Sequence, residues 1–112
     1  MQKRDYYILC GREKDYPDGV YAVRRRGYII HDDKSGRDFG FCYNNSSKMW
    51  YMTDIRTGCL VSNKVRNMSS FQSAIDAFSD KVVKFAQDHP KYEQWHDECV
   101  EYAQQTVTET EE

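Results

Sequence analysis

The chain has no run of the roughly 18 apolar residues that a membrane-crossing helix needs, and its opening MQKRDYY carries no apolar signal region. A cytoplasmic protein without membrane contact is the expectation. The four cysteines, Cys10, Cys42, Cys59 and Cys99, contain no C-x-x-C pair. In a reducing compartment they read as buried or half-buried thiols. The nearest approach to a zinc site is His96 and Cys99, three apart on a helix, with His89 upstream. A remaining ligand would have to come from a distant strand, so neither metal nor cofactor is expected. Gly36 and Gly40 do not open a helix, which removes the phosphate loop and the dinucleotide fingerprint. Asp32, Asp33 and Asp38 lack the order of a calcium loop and its closing glutamate. His31, His89 and His96 have no metalloprotease spacing and no evident nucleophile beside them. A non-enzymatic protein is therefore expected.

What is present is one domain's worth of material: 112 residues, 39% hydrophobic and 30% charged, with room for one core. Nine tyrosines in a chain that is 14% aromatic suit a small sheet with partly wet faces or a binding surface. The formal net charge of −2 hides a division. Residues 1–70 carry 13 Lys and Arg against 8 acids, whereas residues 71–112 carry 3 against 10. Such asymmetry bears on partners and solubility, not on fold.

Period-two runs mark strands at Asp5–Cys10, Gly19–Arg24, Phe39–Tyr43, Met49–Thr53 and Cys59–Ser62. Tyr28–His31 is either a further strand or the bent continuation of the second, with Gly27 as the bend. Pro17-Asp18-Gly19, Asp32–Gly36, Asn44–Ser47 and Thr57-Gly58 supply the turns. After Ser62 a polar connection leads to a helix, for which Ser69 and Gln72 have capping-box spacing. Phe71, Ala74, Ile75, Phe78, Val82 and Phe85 give that helix its apolar stripe. Asp88-His89-Pro90 ends it, and a second helix follows with Tyr92, Trp95, His96, Cys99, Val100 and Ala103 on its apolar side. The expected fold is α+β: an antiparallel meander of about five strands, then two C-terminal helices packed on one face. It spans residues 1–105, with an acidic flexible tail over 106–112 and no internal repeat.

Two candidate surfaces emerge. One is basic and aromatic: Arg24, Arg25, Arg26, Tyr28 and Arg56, the material with which single strands or structured RNA are held. The other is an acidic helix face of Asp88, Glu93, Asp97, Glu98 and Glu101, able to imitate nucleic-acid phosphates or simply to keep a helix soluble. The stretch W-Y-x-T-D-x-x-T-G at Trp50 to Gly58, a hairpin followed by an amphipathic helix, resembles short phage and mobile-element accessory proteins over Phe41 to Phe85. Anti-CRISPR and other anti-defence proteins are among these. The resemblance implies a stoichiometric inhibitor in the host bacterial cytoplasm that binds a CRISPR effector nuclease, a protein or ribonucleoprotein partner, and blocks guide loading, target-DNA binding or cleavage. The alternative is a small domain that binds RNA or single-stranded DNA through the Arg/Tyr-rich sheet. Monomer and dimer are both open.

Overall fold

The computed structural model describes residues 2–111, excepting the side chains of Glu13 and of residues 106–111. Five strands, β1 (Arg4–Gly11), β2 (Val20–Asp32), β3 (Arg37–Asn44), β4 (Met49–Asp54) and β5 (Cys59–Val65), lie in sequence order in one antiparallel sheet. Two helices follow, α1 (Phe71–Asp88) and α2 (Lys91–Glu111). The expected α+β meander with two C-terminal helices is the observed architecture. The acidic tail expected over 106–112 falls where side chains are not described.

Three hairpin turns share one chemistry. Asp32, Asn44 and Asp54 each accept, at the backbone carbonyl, the amide four positions on, from Gly36, Lys48 and Gly58, all at 2.8 Å. Their side-chain oxygens accept the amides of Ser35, Ser47 and Thr57 at 3.2, 2.9 and 3.3 Å, and the hydroxyls of the same residues at 2.5, 3.3 and 2.7 Å. Each turn closes on a left-handed residue: Gly36 (φ +74°), Lys48 (φ +57°) and Gly58 (φ +70°). Asp or Asn therefore binds the turn from its first position, and the residue four on must tolerate positive φ.

The long β2 has two neighbours in succession. Over Val20–Gly27 it pairs with β1 alone, and from Tyr28 it pairs with β3. Of the two alternatives for Tyr28–His31, the continuation of the second strand through Gly27 is the one observed. Gly27 makes this possible, because a Cβ there would lie 2.0 Å from the Phe41 carbonyl oxygen. The sheet rolls until Leu9 N–H donates to Gly58 O at 2.7 Å, tying β1 to the start of β5. On the inside of the roll the Tyr6 ring rests on Gly40, where a Cβ would come within 2.6 Å of it.

The outer face of β3 and β4 carries Phe39, Phe41 and Met52, fully buried, against Phe71, Ile75 and Val82 of α1. Phe41 stacks on Phe71 with centroids 4.0 Å apart, and Trp50 meets Phe71 edge-on at 5.1 Å. Each such buried ring contributes about 1.5–3 kcal/mol through burial, and a ring pair about 0.5–1.5 kcal/mol more. α2 lies on the β1–β2 ribbon, where the His96 Nε2 donates to Tyr7 O at 3.0 Å and the Cys99 thiol to Val20 O at 3.7 Å.

Several local expectations are corrected. β5 continues past Ser62 to a buried Val65, with register shifts where it pairs with Trp50 and Met52. The capping box does not form: Ser69 and Ser70 donate to Asn67 Oδ1 at 2.6 and 3.0 Å, and Gln72 bonds Asp76 at 3.0 Å. A short 3-10 turn, Met68–Ser70, precedes α1 and uses both serines before the helix begins. The buried line of α1 is Phe71, Ile75, Ser79, Val82 and Ala86, so Phe85 turns outward to meet His89 and Tyr92, with centroids at 4.8 and 5.2 Å.

Candidate functional site

Arg24, Arg25 and Arg26 stand opposite Tyr7, Tyr6 and Asp5 of β1, all three exposed, on a stretch where β2 has only one neighbour. Alternation along the strand sends Arg24 and Arg26 to one face and Arg25 to the other. Arg26 reaches Asp5 at 3.3 Å. Arg25 donates to the Arg24 carbonyl at 3.2 Å, and neither Arg24 nor Arg25 meets an acid among the described residues. At Arg24 and Arg25 the ribbon therefore projects cationic donors with no counter-charge among the described residues.

Beneath it lies a cleft of about 360 Å³, bounded by Ile8, Leu9 and Cys10 of β1, Arg25 and Arg26 of β2, and Cys42, Asn44, Tyr51, Thr53 and Leu60 of the opposing strands. Burial pushes the Cys10 thiol up from its ordinary value. Tyr6 is buried, 4% exposed, with its hydroxyl beside the Cys42 thiol. Burial, and then the neighbouring Cys42, raise its pKa, while Arg25 pulls it down. Other clefts include one of about 330 Å³ between β5 and α1, walled by Val61, Phe78, Val82 and Phe85, and one of about 640 Å³ between the Tyr16–Asp18 loop and α2.

The acidic group does not form one free face. Glu93 bridges Arg37 at 3.2 Å and Arg56 at 3.1 Å, and Asp88 pairs with Lys84 at 3.3 Å. Glu98 accepts a short hydrogen bond from the Tyr16 hydroxyl, which holds its carboxyl below the usual range. Asp97 and Glu101 are exposed. On the basic side, Tyr28 is half-buried against Trp50 and Phe71, with centroids at 5.8 and 6.4 Å, and Arg56 is engaged by Glu93. Three of the five basic and aromatic candidates, the consecutive arginines, are thus gathered on one strand segment.

A buried ionic node escaped the sequence reading. Arg37 grips both carboxylate oxygens of Asp54, at 2.9 and 2.8 Å, with side chains 9% and 2% exposed. Asp54 also holds the β4–β5 turn through Thr57, and Glu93 links the node to α2. The hydrogen bonds to Asp54, set against the cost of burial, keep the Arg37 guanidinium above its ordinary pKa. The node's donors and acceptors are spent on one another, which makes it a fastener between sheet and helix. A signal was available: Arg37 shares strand parity with Phe39 and Phe41, and a cation on a core face needs a buried acid.

The histidines are likewise engaged. His31 Nδ1 lies 2.7 Å from Asp38 and Nε2 3.5 Å from Asp33, and His96 is committed to Tyr7. Among the described residues no group of three or more metal-ligating side chains converges, and no helix is long and apolar enough to cross a membrane. Comparisons of the chain with family models, curated proteins and solved structures find no match.

Proposed function

We propose that this chain is a non-catalytic binding domain that engages nucleic acid through the arginine ribbon of β2, either free or as the RNA of a ribonucleoprotein such as a CRISPR effector nuclease. The carrying observation is the run of three exposed arginines, of which among the described residues only Arg26 has an acid partner, with Arg25 and Arg26 at a tyrosine-containing cleft. Arginine forks bind phosphate bidentately, and aromatic side chains accept bases without regard to sequence. In an effector complex this surface covers guide RNA or its entry path, and the domain acts as a stoichiometric inhibitor. Phosphate mimicry by the acidic residues has less support, because Glu93 and Glu98 are bonded within the domain.

Capture from bacterial lysate with and without nuclease treatment tests the reading. The expected result is a captured complex that contains RNA or DNA, is lost on nuclease treatment and is lost in the R24A/R25A/R26A variant. Nuclease-resistant capture that survives in the triple variant would overturn it. Target-plasmid cleavage by a purified effector, with the domain added before or after the guide, then tests the inhibitor role.

A further inference from the structure

We infer that the cleft under the ribbon holds one unstacked base, so that this surface takes single-stranded and not duplex nucleic acid. The inference rests on the ribbon reading above. At about 360 Å³ the cleft falls within the range of small-ligand sites, which run from about 300 to 1,000 Å³. It is set between two layers of the rolled sheet, so only a group that leaves its own stack can enter. Bases in a duplex are paired and stacked behind their phosphates, whereas single strands splay bases outward onto aromatic side chains.

The lining suits both halves of a nucleotide. Arg25 stands at the cleft for the phosphate and, among the described residues, spends only one hydrogen bond, on the Arg24 carbonyl, whereas Arg26 at the cleft edge is held by Asp5. Tyr51 contributes a half-buried ring from β4. Asn44 accepts the Ser47 amide at its Oδ1 at 2.9 Å, which fixes the side-chain amide and leaves its NH₂ group to donate to a base edge.

The test is fluorescence anisotropy of the full chain with a labelled mixed-sequence octamer, RNA and DNA, offered single-stranded and as a blunt duplex, for the wild type, Tyr51→Phe and Tyr51→Leu. The inference expects the single strand to bind at least about tenfold more tightly than the duplex, Tyr51→Phe to match the wild type, and Tyr51→Leu to lose about tenfold. Alkylation of Cys42 is expected to slow on addition of the single strand, a readout that needs no variant to fold. Equal or preferred duplex binding, unchanged affinity in a folded Tyr51→Leu, or unprotected Cys42 at saturation would overturn the base-in-cleft inference while leaving the ribbon reading standing. Failure of both single strand and duplex to bind would overturn the ribbon reading itself.

Discussion

Arg37 and Asp54 face each other across the β3–β4 end of the sheet as a two-bond fork, at 2.9 and 2.8 Å, almost wholly out of water. A buried pair of this kind costs most when one partner is removed and the other remains charged without compensation. Asp54→Ala is expected to destabilise the fold by about 3–5 kcal/mol, measured by urea denaturation. Glu93→Gln, at the wetter end of the same node, is expected to cost far less, about 1 kcal/mol or below. Equal losses in the two variants would show that the fork is not the fastener.

Gly27 and Gly36 separate close approach from conformational freedom. A Cβ at Gly27 meets the Phe41 carbonyl at 2.0 Å, while one at Gly36, at φ +74°, meets nothing within 4 Å. Gly36→Ala should therefore cost only the left-handed backbone penalty, about 1–2 kcal/mol. Gly27→Ala must push β2 away from β3 and should exceed it, by denaturation midpoint or by failure to fold.

Lys48 occupies the left-handed position that Gly36 and Gly58 fill in the sister turns. Lys48→Gly should raise stability by about 0.5–1 kcal/mol, the relief of the left-handed strain outweighing the added chain entropy. A drop in thermal midpoint would contradict the shared-turn account.

His31 titrates above its ordinary value because of its hydrogen bond to Asp38, with further help from Asp33 and Asp32. Its folded pKa is raised above the unfolded one. The stabilisation is therefore complete below about 6.5 and is lost as pH rises through the higher folded value. Proton NMR titration should place His31 above a free histidine, and Asp38→Asn should bring it down. An unmoved midpoint in that variant would exclude the pair as the cause.

Much of the fold was legible because its punctuation is chemical. The Asp, Asn and Gly residues of the hairpin turns bind their own backbones, and Pro90 marks the helix break on the chain itself. Errors arose where long-range packing decides. Whether Tyr28–His31 continues the second strand stays open in the sequence, because nothing local says that Gly27 must touch Phe41. Asn63 and Lys64 read as loop because a strand at the sheet edge can remain polar. Ser69 and Gln72 have the right spacing for a cap, but Asn67 competes for the serines. The arginines were visible as a run. Their cleft was not, since it exists only once the roll of the sheet carries β1 over Gly40 and Cys42. Glu93 and Glu98 looked like free acids because their partners, Arg37 and Tyr16, lie far away in sequence.

The most direct test of the arginine ribbon is the salt dependence of single-strand binding in the wild type and in R24A/R25A/R26A. Each phosphate neutralised on a single strand contributes about 0.7 to the slope of log K against log salt. The account predicts weaker binding of the triple variant and a slope shallower by about 2, with its circular dichroism melt unchanged. An unaltered affinity and slope in the folded variant would contradict it.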